Sequence, residues 1–137
     1  MAEGLKPRAS VSKRLSVLPQ LPLAPTSIDP SAVVAKFAVL TGNHPITIGA
    51  GVVLHPYSKI ISNEGPVVIG EGCVIWEKAV VGIDGGHDSE QSVVLGKNVI
   101  VESGAVVEAK EIGEGTTIEA LAKVGVGARV GKVGAFH

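Results

Sequence analysis

Large aliphatic residues recur along this chain every six positions, in groups of three. Ile28, Val34 and Leu40 form the first group, Ile48, Leu54 and Ile60 the second, and Ile69, Ile75 and Val81 the third. Leu95, Val101 and Val107 follow, then Ile112, Ile118 and Val124, and Val130 opens a sixth group. Inside a group the interval is always six; between the first five groups it becomes eight, nine, fourteen and five residues. Glycine often stands directly after the aliphatic (Gly49, Gly70, Gly96, Gly113), and a small or β-branched residue recurs four positions after it (Ala38, Val52, Cys73, Ala79, Val99, Ala105, Thr116). A short strand whose aliphatic points inward, whose next inward neighbour is small, and whose end meets a sharp corner produces this alternation. Three such hexapeptides close one triangular coil of about 18 residues, and breaks after every third repeat put the length changes at a solvent-facing corner.

The pattern predicts an all-β protein: a single-stranded parallel β-helix of about five triangular coils. The left hand is taken from similarity to known hexapeptide-repeat β-helices, since right-handed crossovers are otherwise the rule. Composition agrees. The 137 residues are 45% hydrophobic but only 3% aromatic, with 18 glycines and 8 prolines, which suits short strands and tight turns around an aliphatic core. A Rossmann fingerprint hidden among the glycines would need a helix to follow it, and no helical period does.

Residues 1–27 differ in kind. Lys6, Arg8, Lys13 and Arg14, several serines (Ser10, Ser12, Ser16) and Pro7, Pro19, Pro22 and Pro25 predict a flexible or extended basic arm. Leu15, Val17, Leu18, Leu21 and Leu23 give that arm apolar contacts to offer a partner or the protein's own flank. The β-helix is expected over 28–137, with a corner loop at 83–92 where the interval stretches to fourteen. At Gly134–His137 the chain stops inside a sixth coil, and an open solenoid end is expected to need a cap or a partner.

A formal net charge of −1 gives no electrostatic footprint for nucleic acid, and no apolar run approaches a membrane span. The amino terminus carries no continuous apolar signal, being broken by Lys13, Arg14, Pro19 and Pro22. A lone Cys73 agrees with a reducing compartment, so a cytosolic protein is expected. Cys73 itself falls on a small interior position, which makes it a core residue rather than a nucleophile.

The histidines His44, His55, His87 and His137 are the candidates for chemistry. Two enzyme classes share this repeat. In γ-class carbonic anhydrases three histidines hold zinc between subunits, and Val53-Leu54-His55 is similar to the context of the first ligand. The places of the other two read Ile75-Trp76-Glu77 and Val81-Gly82, and one ligand of three does not make that site. In hexapeptide acyltransferases a loop histidine serves as general base; His87 in the long loop and His44 at a corner occupy loop positions, but nothing marks a pantetheine channel. Asp84, Asp88 and Glu90 match no calcium-loop spacing. The expectation is therefore no catalytic residue, no metal and no cofactor. Trp76, an outward-facing aromatic on a flat sheet, and Phe136 near the open end are expected instead to contact other proteins.

The succession Ile46-Thr47-Ile48-Gly49, Val53-Leu54-His55-Pro56, Ile60-Ile61 and Gly65-Pro66-Val67-Val68-Ile69-Gly70-Glu71-Gly72 resembles the dynactin subunit 6 family, as does the opening from Ile28 to Val34. The similarity is strong over residues 26–82 and continues beyond Val81 through the repeat alone. That family continues into a carboxy-terminal helical segment and has a shorter amino terminus. The resemblance implies a non-catalytic scaffold subunit of the dynactin pointed-end complex, in cytoplasm and cytoskeleton. It implies pairing with dynactin subunit 5 and contact with other pointed-end subunits, supporting attachment of dynein cargo and adaptors in microtubule-based transport. It also accounts for a His55 without a metal site. The rival expectation is a homotrimeric enzyme of the carbonic-anhydrase or acyltransferase type, whereas the family resemblance implies no homotrimer.

Overall fold

The chain winds as a left-handed parallel β-helix of about five turns. The computed structural model describes residues 25–86, 89–132 and the backbone of 135–136. Most of the amino-terminal arm, His87, Asp88 and His137 lie outside the described residues.

The first coil contains β1 (Thr26–Ile28), β2 (Val33–Val34) and β3 (Val39–Gly42). The second contains β4 (Ile46–Ile48), β5 (Val53–Leu54) and β6 (Lys59–Ser62), and the third β7 (Val67–Ile69), β8 (Val74–Ile75) and β9 (Val80–Ile83). β10 (Val93–Leu95), β11 (Ile100–Val101) and β12 (Val106–Val107) make the fourth, and β13 (Glu111–Ile112), β14 (Thr117–Ile118) and β15 (Lys123–Val124) the fifth. β16 (Arg129–Val130) and β17 (Ala135–Phe136) begin a sixth. Each strand pairs in parallel with its counterpart one coil away, giving three flat sheets in the orders β1-β4-β7-β10-β13-β16, β2-β5-β8-β11-β14-β17 and β3-β6-β9-β12-β15.

The six-residue pattern maps onto this register. Ile28, Ile48, Ile69, Leu95, Ile112 and Val130 form one column through the first sheet. Val34, Leu54, Ile75, Val101, Ile118 and Phe136 form the second column. Leu40, Ile60, Val81, Val107 and Val124 form the third. Successive coils take 20, 21, 26, 17 and 18 residues (Ile28 to Ile48, to Ile69, to Leu95, to Ile112, to Val130), and all of that variation falls at the corner between the third and first sheets. The longest connection, 84–92, follows β9 at this corner.

Three columns of branched aliphatics fill the prism. Leu54, Ile60, Ile69, Ile75, Val81, Val101, Ile112 and Ile118 are fully buried, with Cys73, Ala79, Val99 and Ala105 packed between them. The buried hydroxyls have partners: Ser58 donates to the His55 carbonyl at 2.8 Å, Ser62 to the His44 carbonyl at 2.7 Å and Thr116 to the Gly131 carbonyl at 2.9 Å. Burial weakens at the first coil, where Ile28 stays 41% exposed, no earlier coil being present among the described residues.

The corners divide the work of the glycines. A Cβ at Gly70 would stand 2.6 Å from the Gly96 carbonyl oxygen, so this glycine answers the close approach of stacked backbones. The left-handed turn comes two residues later, at Gly51, Gly72, Asn98 and Gly115, with φ from 57° to 79°. The second corner needs the same conformation but places bulky residues there: Phe37, Tyr57, Lys78 and Leu121 have φ of 67°, 64°, 63° and 65°. Left-handed φ costs a side chain with a Cβ about 1–2 kcal/mol per residue.

Candidate interaction surface

The bulky left-handed residues sit three positions after the aliphatics of the second column, and their side chains stand in solvent. Phe37 is 56% exposed, Tyr57 59% and Leu121 81%. Phe37 and Tyr57, on adjacent coils, stack with ring centroids 5.3 Å apart and planes 8° from parallel. The Lys36 ammonium lies 5.4 Å from the Phe37 centroid, within reach of a cation–π contact.

One position after the same column stand Ala35, His55, Trp76, Glu102 and Glu119, again stacked coil over coil. The His55 ring lies flat on the Trp76 ring, with centroids 4.1 Å apart and planes 8° from parallel. Trp76 remains 40% exposed. Below it, a Glu102 side-chain oxygen accepts the Ala120 N–H at 3.1 Å, which fixes the carboxylate. Trp76, Glu102, Ser103 and Ala120 line an open cleft of about 250 Å³, and Glu77, Lys78, Ser103, Gly104 and Leu121 line its neighbour. Every aromatic residue whose side chain is described thus lies on one edge of the prism. Exposed rings at a backbone conformation that glycine would adopt more cheaply point to a surface kept for contact rather than for folding.

The structure separates the other candidates for chemistry. His44 donates from Nδ1 to the Ser62 carbonyl at 2.9 Å, and its Nε2 lies 3.6 Å from the Glu90 carboxylate. The third-corner backbone thus holds one ring nitrogen of His44, and a loop carboxylate stands near the other. Asp84 accepts from the Asn63 amide at 3.0 Å, while Glu90 faces His44, so the loop carboxylates turn to different partners. Among the described residues, no three His, Cys, Asp or Glu side chains converge to hold a metal ion. The Cys73 thiol donates to the Gly96 carbonyl at 3.0 Å, and burial pushes its pKa up, which suits a core thiol rather than a nucleophile. His87, Asp88 and His137 lie outside the described residues. Phe136 has its backbone in β17, opposite Ile118 and in register with the interior column; its side chain also lies outside the described residues.

Of the expected contact residues, Trp76 thus falls on the aromatic edge. Sequence reasoning did not single out Phe37, Tyr57, Leu121 or Glu102. The signal was present: stepping three residues from Val34, Leu54, Ile75, Val101 and Ile118 reaches Phe37, Tyr57, Lys78, Gly104 and Leu121.

Comparison with known proteins bears out the family resemblance. The chain is 39% identical over 88 residues to dynactin subunit 6 of Danio rerio, an alignment covering 58% of this chain and 45% of the relative. It is 34% identical over 111 residues to dynactin subunit 6 of Xenopus tropicalis, covering 76% of this chain and 54% of the relative. Dynactin subunit 6 of Dictyostelium discoideum is 33% identical over 103 residues, covering 74% of this chain and 51% of the relative. The chain spans about half the length of the curated relatives it matches. No protein-family model matches it.

Proposed function

We propose that this chain is a non-catalytic scaffold subunit of dynactin, placed in the pointed-end complex with dynactin subunit 5 as its partner, and that it supports attachment of dynein cargo and adaptors. The observation that carries this reading is the stack of His55 on Trp76. The one histidine in a position similar to that of the carbonic anhydrase ligands is packed face to face with an exposed indole, on an edge that also presents Phe37, Tyr57 and Leu121. A surface of this kind suits protein contact. Its shape is fixed by the solenoid before binding, so little ordering entropy is lost on association. The three curated relatives compared above, each named dynactin subunit 6, support the assignment to that complex.

Cytoplasm and cytoskeleton are the corresponding location, and no helix among the described residues is long and apolar enough to cross a membrane. Trp76 is the first contact residue of this reading, and Phe136 the second, at the last coil.

The test is the mass of the purified protein in solution, alone and mixed with dynactin subunit 5, with metal content read on the same sample. The expected outcome is a zinc-free one-to-one complex. A homotrimer with about one zinc per subunit, the assembly that three-histidine sites between subunits require, overturns the reading.

A further inference from the structure

We propose that the cleft between Trp76 and Glu102 is a socket for a single arginine side chain of another protein, so that the aromatic edge recognises a basic segment. The inference deepens the reading of this edge as an interface and rests on it. His55 covers the Trp76 ring from the second coil, and the cleft opens on the side of the fourth and fifth coils. The indole is therefore clamped on one face and available on the other. Opposite it, the Ala120 N–H holds one oxygen of Glu102, leaving the carboxylate oriented. Among the described residues Glu102 makes no ion pair. The adjoining corner positions of the third to fifth coils carry Glu77 and Glu119 as well, against one cation, Lys78, so the surroundings are acidic.

A planar guanidinium matches both walls at once. It stacks on an indole face and donates paired N–H groups to a carboxylate, whereas an ammonium is a compact point charge that does the first less well. The size agrees with one side chain. Small-molecule sites usually enclose about 300–1,000 Å³, while this cleft is about 250 Å³ and open to solvent. Negative corner charge disfavours nucleic acid, and the exposed Leu121 beside the cleft offers an apolar contact to the residues flanking the arginine.

Trp76 is the sole tryptophan, so its emission reports on this cleft alone. The full chain is titrated with octaarginine, octalysine and octaglutamate at low salt while fluorescence is followed, and circular dichroism checks that each variant is folded. The expected result is a saturable change with octaarginine, several-fold weaker affinity for octalysine, and no response to octaglutamate. Glu102→Gln, which keeps an oxygen for the Ala120 N–H, is expected to weaken octaarginine about tenfold, the usual scale for a charge-assisted bond. An unchanged affinity in Glu102→Gln overturns the proposal. So does a response that appears only after Lys13→Glu and Arg14→Glu, because the chain's own basic residues would then fill the cleft. The complex with dynactin subunit 5 is weighed separately. If Trp76→Ala weakens that complex while octaarginine is ignored, the interface reading stands and the arginine socket falls.

Discussion

The Trp76 indole lies on the His55 imidazole at a centroid distance of 4.1 Å, within 8° of parallel, and joins the third coil to the second outside the hydrophobic core. An exposed aromatic pair of this kind contributes about 0.5–1.5 kcal/mol beyond its buried area. His55→Ala is therefore expected to lower stability by at least about 0.5 kcal/mol and to leave the metal content of the protein unchanged. Urea denaturation and elemental analysis of the same samples check both halves. Loss of a stoichiometric metal on this substitution would contradict the scaffold reading.

The core predicts a gradient along the prism. Ile75 is fully buried between Leu54 and Val101, and Ile75→Ala is expected to cost about 2–5 kcal/mol. Ile28 occupies an equivalent position in the first column but is 41% exposed, so Ile28→Ala is expected to cost well under half as much. Thermal denaturation of the two variants side by side measures the contrast. Equal losses would mean that the first coil is covered as tightly as the third.

Leu121 separates stability from contact. Its φ of 65° suits asparagine better than a branched aliphatic, and its side chain is 81% exposed. Leu121→Asn is expected to leave stability unchanged or raise it by up to about 1 kcal/mol. Under the pairing proposed above, the same variant is expected to weaken binding to dynactin subunit 5. Calorimetry on the chain and on the complex checks the pair of outcomes, and a destabilised chain would show that Leu121 serves the fold.

Asp29 predicts a pH dependence at the first corner. Its carboxylate accepts from the Ser31 N–H at 2.9 Å and from the Ser31 hydroxyl at 2.7 Å, and the Ser31 hydroxyl in turn accepts the Gly51 N–H at 3.0 Å. The Ser31 backbone bond, followed by the hydroxyl bond, holds the Asp29 pKa below its ordinary value. A depressed folded-state pKa means the contribution is present above the ordinary carboxylate range and lost as pH falls through the lowered value. The amide signals of Ser31 and Gly51 are expected to move together on acidification below the ordinary aspartate range, and to be displaced at neutral pH in Asp29→Ala. Independent titration of the two amides would break the relay.

Most of the coil architecture was legible because one residue class carries it. Ile28, Ile48 and Ile69 share a column for the same reason that they are spaced as they are: an inward position in a triangular prism is filled mostly by branched aliphatics. Trp76 was legible as an outward aromatic directly after Ile75. The rest of the edge was not, because the left-handed corner that glycine marks at Gly51 and Gly72 is occupied at the second corner by Phe37, Tyr57 and Leu121, which carry no turn signature. The meeting of His44 with Glu90 was equally hidden. It joins two third-corner loops of different length, and no fixed interval brings one residue over the other.

The six-residue steps that never vary on the first two corners, set against a third corner that absorbs every change of length, make the aromatic edge a ruler. Its graduations repeat at the spacing of neighbouring strands, about 4.8 Å. A straight partner laid along such a ruler fits the backbone equally well one graduation higher or lower. Only the side chains number the marks: stacked rings on the first two coils, the indole on the third, carboxylates on the fourth and fifth. Alignment in an assembly is thereby written in side-chain identity, and a single exchange between neighbouring coils would shift where a partner settles without disturbing the rod that carries it.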